Sequence, residues 1–270
     1  MPVFDTHTHS RFSDDGREEP RAMAETALQK GLLGLCITDH FDCDEIPLFS
    51  SLEHLRDAKA ALEPLQQEYR GRLLLCRGVE LAQGTMRPDE ARHALAIGGY
   101  DYVLGSVHAA LFRQDYYLMD WQNPPRPLPV LVQEYFEACL RLAQWDQVDA
   151  VAHLGYLRRY ATARDGVALD YSPCRDLIEE ILRTVIATGK ALEVNTSGFR
   201  YGLPEWIPDV SILRRYRALG GELVTIGSDA HRCGDIGAGH REAQAMLWEL
   251  GFRYYAYYQQ RKPVFLPLEA

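Results

Sequence analysis

No stretch of this 270-residue sequence approaches the ~18–20 consecutive apolar residues that cross a bilayer as a helix. Met1-Pro2-Val3-Phe4-Asp5 also lacks the basic start and long apolar stretch of a secretion signal, so a cytoplasmic protein is expected. Positive charge is in short supply: 29 Lys and Arg stand against 38 Asp and Glu, a net charge of −9. A nucleic-acid backbone would therefore have to be held by a local basic patch or by metal ions, and general nucleic-acid binding is not expected. The six cysteines include no Cys-x-x-Cys pair and give no sign of a disulfide framework; Cys36 and Cys76 lie in apolar runs and read as buried thiols. Also missing are a Gly-x-x-x-x-Gly-Lys-Ser/Thr loop, a Gly-x-Gly-x-x-Gly fingerprint after the first strand and a Gly-x-Ser-x-Gly elbow. No cysteine has an arginine six positions later, as a thiolate phosphatase loop would want. Asp42-Cys43-Asp44 reads as a loop pair that follows no strand. Any catalysis is thus expected to be metal-borne.

What the sequence does have is a regular alternation of short β-rich apolar runs with longer segments of helical spacing. The runs predict seven strands, at Pro2–Phe4, Gly34–Ile37, Leu73–Cys76, Tyr102–Leu104, Ala150–Ala152, Ala191–Val194 and Glu222–Ile226. Amphipathic stretches between them, such as Arg21–Lys30, Ser51–Tyr69, Leu128–Trp145, Pro173–Thr188 and Val210–Leu219, predict helices. No repeat or flexible linker interrupts the alternation, and the proline-dense stretch from Pro124 to Pro129 reads as a rigid loop. Alternating βα units imply a parallel sheet with helices outside, and seven of them favour one barrel-like domain over residues 1–270. Six of the nine histidines follow these runs: His7 and His9, His40, His108, His153 and His231. In a parallel barrel the strand C-termini share one rim. Six imidazoles with Glu80 and Asp229 on that rim would be costly to desolvate without a compensating cation, so metal binding is expected. His54, His93 and His240 read as solvent-facing or capping residues.

The set Asp5-x-His7-x-His9, Thr38-Asp39-His40, Gly78-Val79-Glu80-Leu81, Gly105-Ser106-Val107-His108, Ala152-His153 and Gly227-Ser228-Asp229-Ala230-His231, in that order, resembles the polymerase-and-histidinol-phosphatase (PHP) superfamily. Tyr100–His108 and Leu192–Arg200 are most similar to its stand-alone histidinol-phosphatase branch. The resemblance implies a distorted (β/α)7 TIM-like barrel with a trinuclear centre of divalent zinc, manganese or iron. His7, His9, Glu80 and Asp229 would hold the first ion, Glu80 (bridging), His108 and His153 the second, and Asp15, His40 and His231 the third. Asp15, beside the equally plausible Asp14, stands where many relatives have His. Asp5 and Asp39 either orient imidazoles or cap their strand ends.

The function implied is a metal-dependent phosphomonoesterase that converts L-histidinol phosphate to L-histidinol and phosphate in histidine biosynthesis. Glu80, Asp229 and His231 are its candidate catalytic groups, with Asp229 or a water as proton donor to the leaving alkoxide. Arg159 and Arg200 are the first candidates for phosphate recognition, with Arg158 and Ser197 behind them; the competing reading of each arginine is a surface ion pair. The alternatives are the same centre acting on a nucleotide, a phosphotyrosine peptide or a nucleic-acid end, and a catalytically silent metal-binding module. The intact ligand set disfavours the last.

Overall fold

The computed structural model describes residues 1–43, 51–109 and 115–269. Along the chain its elements are β1 (Phe4–Thr8), α1 (Pro20–Gln29), β2 (Gly34–Ile37), β3 (His40–Asp42), α2 (Leu52–Glu68), β4 (Leu74–Ala82), α3 (Pro88–Ala96), β5 (Tyr102–Ser106), α4 (Leu128–Gln144) and β6 (Ala150–Val151), followed by α5 (Arg175–Ala187), β7 (Ala191–Asn195), α6 (Ser197–Arg200), α7 (Val210–Ala218), β8 (Val224–Gly227), α8 (His240–Glu249), β9 (Tyr254–Gln259) and β10 (Lys262–Pro267). The main sheet is parallel, in the order β1-β2-β4-β5-β6-β7-β8. Its two edges meet: His9 N donates to Ala230 O at 2.8 Å and Asp229 N to His7 O at 2.8 Å. Seven strands thus close almost fully into a barrel, as the alternation predicts. β2 pairs with the first half of β4 and β3 with the second, so the two are one strand line broken at Thr38-Asp39.

The helices wrap this sheet through apolar stripes of helical period. α4 is the clearest case: it buries Leu131, Val132, Tyr135, Phe136, Cys139, Leu142 and Ala143. Ser51 caps α2 by accepting from His54 N at 3.1 Å, and Asp209 caps α7 by accepting from Ser211 N and Ile212 N.

Three differences from the sequence-based expectation bear on the site. The first strand is Phe4–Thr8, not Pro2–Phe4, and the strand expected at Leu73–Cys76 runs on through Glu80 to Ala82. Polar residues that face the barrel interior carry no apolar signature, so a search for apolar runs ends too early. Asp42 ends strand β3 and does not sit in a loop; Asp44 lies outside the described residues. Finally, the antiparallel hairpin β9–β10 is additional. It packs against the N-terminal ends of the barrel strands: the Tyr257 ring stacks on Phe4 with centroids 4.2 Å apart, and Tyr255 OH accepts from Phe4 N at 3.1 Å and donates to Pro2 O at 2.8 Å. His240, expected to face solvent or to cap, does not face solvent. It is fully buried at the start of α8, with Nε2 3.2 Å from Ile226 O and 3.6 Å from Asp5.

Candidate metal centre

The C-terminal ends of the strands deliver the chemistry to one rim. β1 turns both His7 and His9 inward because residues two apart share a face. β4 brings Glu80, the β3 line His40, and the turns after β5, β6 and β8 bring His108, His153, and Asp229 with His231. His153 and Asp229 hold positive φ, 23° and 55°, a region that L-residues enter only when the surroundings over-determine it.

Glu80 is the hub. Its Oε1 lies 2.8 Å from His153 Nε2 and 3.1 Å from His108 Nε2. Its Oε2 lies 3.1 Å from His7 Nε2, 3.0 Å from His40 Nδ1 and 3.5 Å from His9 Nε2. Asp229 Oδ1 is 3.5 Å from His9 Nε2, 3.8 Å from His7 Nε2 and 3.6 Å from His231 Nδ1. Asp15 reaches the cluster from the loop after β1, 3.1 Å from His231 and 3.7 Å from His40, whereas Asp14 faces His54 at 4.0 Å. Three compact groups follow: His7, His9 and Asp229; His40, Glu80 and His108; and His9, His40 and His231. All nine expected ligands therefore meet at one centre, with His40 and His9 each shared between neighbouring groups.

The electrostatics are those of a dense, buried charge cluster. Burial opposes a charge on Glu80, but His7, His108 and His40 outweigh it and hold the carboxyl well below its usual range. Burial likewise opposes ionisation of Asp229, and Arg159 and His7 reverse it. Burial disfavours a charged His40 too, yet Asp15 and Glu80 push it up to about 9. His9 moves the other way, driven well below its ordinary value by burial and by its neighbours His40 and His231.

A divalent cation fits this donor set. His7 Nδ1 lies 2.6 Å from Glu193 and His108 Nδ1 3.0 Å from Asp42; with those partners taking the Nδ1 protons, a bound cation would displace any Nε2 proton and take the Nε2 lone pairs beside Glu80. His7 Nε2 also faces His9 Nε2 at 2.9 Å. Acceptors that converge on acceptors in a dry site need a positive charge between them. The ligands are nitrogen and oxygen throughout, a set that suits zinc, manganese and iron alike.

The centre opens into a cleft of 460 Å³ whose wall includes Asp15, His40, His108, His231, Arg159 and Arg200. Arg159 is buried; its guanidinium donates to Asp229 Oδ2 at 2.6 Å and to Ser197 Oγ, and lies over the rings of Tyr156 and Tyr201 at 5.1 and 4.7 Å. Arg200 donates to the carbonyls of Ser228 and Asp229 at 2.9 and 2.8 Å. Ser197 is buried behind Arg159 and shared with Asn195. Arg158 is not brought to the cleft. It points away from the cleft, pairs with Glu205 at 2.6 Å and stacks on Tyr171 at 4.6 Å, just before the π-helical turn Arg159–Arg164.

Asp5 accepts from Ser228 N at 2.9 Å and Gly237 N at 2.8 Å and so ties β1 to the segment after β8. Asp39 accepts from Ser10 N at 2.7 Å and Ser13 Oγ at 2.9 Å, and Ser13 in turn touches His9 Nδ1 at 3.2 Å. Asp5 lies inside β1 and fastens the segment after β8; Asp39 reaches the His9 imidazole through a serine. Glu193 and Asp42 escaped the sequence reading. The available signal for Glu193 was a lone acid inside the apolar run Ala191-Leu192-Glu193-Val194.

Fold and centre together define a barrel protein with a buried histidine–carboxylate centre suited to divalent metal, beside a cleft wall that carries Arg159 and Arg200. The chain belongs to the PHP domain family, whose model matches residues 5–197. It is 34% identical over 255 residues to a probable histidinol-phosphatase of Thermotoga maritima, covering 94% of this chain and 95% of that one. It is 27% identical to the histidinol-phosphatase of Lactococcus lactis, with 93% of each chain covered. Among solved structures it is similar to the histidinol phosphate phosphatase of Lactococcus lactis in complex with zinc, L-histidinol and phosphate, with a TM-score of 0.82, 26% identity and coverage of 97% and 98%. No helix among the described residues is long and apolar enough to cross a membrane.

Proposed function

We propose that this protein is a divalent-metal-dependent phosphomonoesterase that hydrolyses L-histidinol phosphate to L-histidinol and phosphate, acting in the cytoplasm with three ions of zinc, manganese or iron. The observation that carries the reading is the convergence of nine histidine and carboxylate side chains on one buried centre that opens into a cleft lined by Arg159 and Arg200. The substrate follows from relatives named for histidinol phosphate that match this chain over nearly its whole length. His7, His9, Glu80 and Asp229 would hold one ion, Glu80, His108 and His153 a second, and Asp15, His40 and His231 the third. Bound ions supply Lewis-acid chemistry, polarising phosphoryl oxygens and acidifying the attacking water.

The chain's own residues do the rest. Arg200 and Arg159 orient the phosphoryl group through planar, charge-assisted hydrogen bonds. Glu80, placed between two ligand groups, balances their charge. Asp229 gives Oδ2 to Arg159 and Asn195 and turns Oδ1 to the imidazoles, so neither oxygen is free to protonate a leaving group. This engagement of both oxygens favours water over Asp229 as the proton source.

The test is phosphate release from histidinol phosphate, a nucleotide and an aryl phosphate, before and after chelation. Histidinol phosphate should give the highest kcat/KM, and activity should vanish on chelation and return with added Mn or Zn. Equal turnover of the nucleotide would overturn the substrate, and full activity after exhaustive metal removal would overturn the mechanism.

A further inference from the structure

We propose that Glu193 is a positioning residue of the metal centre: by accepting two hydrogen bonds at once it fixes which nitrogen His7 offers to metal and where the His153 ring stands. The inference rests on the assignment of His7 and His153 as ligands.

Glu193 is fully buried in the middle of β7, where an ionised carboxylate survives only if its oxygens are satisfied. Oε1 accepts from His7 Nδ1 at 2.6 Å. Oε2 accepts from the backbone N of His153 at 2.8 Å, with Asn195 Nδ2 at 3.4 Å. The first bond puts the Nδ1 proton toward β7, so Nε2, which faces Glu80 and His9, is the nitrogen whose lone pair a metal would take. The second holds the residue whose φ of 23° sets the direction of the next ligand. β8 is shaped around the pair. A Cβ on Gly227 would stand 2.4 Å from Glu193 Oε1 and 2.4 Å from His7 Cβ, closer than any side-chain carbon tolerates.

Both of these oxygens must be acceptors, and this is what distinguishes Glu from Gln. An amide turned with its oxygen to His153 N presents NH2 to His7 Nδ1; that drives the imidazole proton onto Nε2, where a ligand lone pair is needed. Turned the other way, it sets NH2 against the N–H of His153. Either orientation removes one of the two constraints. Outer-sphere partners of metal-bound histidines typically carry about 10–100-fold in affinity.

The experiment compares full-length wild type with Glu193→Gln by zinc content, zinc affinity in competition with a chelator, and melting of the metal-free forms. Glu193→Gln is expected to melt cooperatively without metal yet bind zinc about 10–100-fold more weakly, and raising free zinc should recover part of its kcat. A purely structural role would lower the metal-free melting temperature and leave zinc affinity alone, which would overturn the proposal. NMR of 15N-histidine-labelled, zinc-loaded wild type gives a second readout independent of whether the variant folds. His7 should be protonated at Nδ1 and metallated at Nε2; the reverse would also overturn it. Wild type that binds no zinc would sink the ligand assignment and this inference together, whereas equal zinc affinity in both proteins would sink the role of Glu193 alone.

Discussion

Arg159 and Arg200 share one cleft but keep different company, and their substitutions should separate accordingly. Arg200 is held by two backbone carbonyls, so its removal strands no buried charge. A guanidinium–phosphate bond contributes about 1.5–3 kcal/mol net, or roughly 10- to 150-fold at about 1.4 kcal/mol per decade. Arg200→Ala should lose that much kcat/KM with unchanged metal content, and Arg200→Lys should recover only part of it, since lysine lacks the planar fork. Arg159→Ala should lower metal content as well as activity, because it removes the guanidinium that holds Asp229 Oδ2 and leaves that buried oxygen to Asn195 alone, at 3.3 Å. Steady-state kinetics beside metal analysis checks both, and a wild-type kcat/KM in Arg200→Ala would return that residue to a structural part. At this scale the sequence exposed the candidate ligands because they cluster after strands. It hid Arg158 from Arg159 because two adjacent arginines read alike until the backbone turn between them is known. It hid Asp42 and Glu193 because residues that touch an imidazole rather than a metal carry no motif spacing of their own.

Among the elements, β1 has two jobs, supplying His7 and His9 at one end and a packing surface at the other. Phe4, fully buried, stacks on Tyr257 of the C-terminal hairpin, so Phe4→Ala opens a cavity between barrel and hairpin. Such truncations cost about 3–5 kcal/mol. The unfolding free energy should fall by that amount, read as a lower urea midpoint at unchanged slope, and a loss under about 1 kcal/mol would show that the hairpin packs elsewhere. The alternation of seven apolar runs with helical stretches was enough to predict the parallel barrel, because strands buried on both faces are apolar along their first turns of sequence. Where strands enter the site, inward positions exchange Leu and Val for His, Glu and Asp, and the strand signal stops while the strand continues. β9 and β10 went unread for a different reason: Tyr254–Gln259 is aromatic and β-prone, but it pairs with its own neighbour and does not continue the βα rhythm.

For the whole molecule, the pairing of β1 with β8 through His7, His9, Asp229 and Ala230 makes the centre a closure device, since residues from the two ends of the sheet must meet before the ligand set exists. The hairpin seals the other end of the barrel against Phe4 and Pro2. The route between the centre and solvent therefore runs through the mouth, and substrate enters by the same passage that both products use to leave. With the phosphoryl group bound as proposed between the ligands and the buried Arg159, inorganic phosphate would stand behind the alcohol in that passage and be the second product out. Exit in that order has a kinetic signature: phosphate should inhibit competitively against substrate, and the alcohol noncompetitively. A competitive pattern for the alcohol would mean the queue runs the other way. A blind-ended barrel thus imposes an order of departure on two molecules that its chemistry releases together.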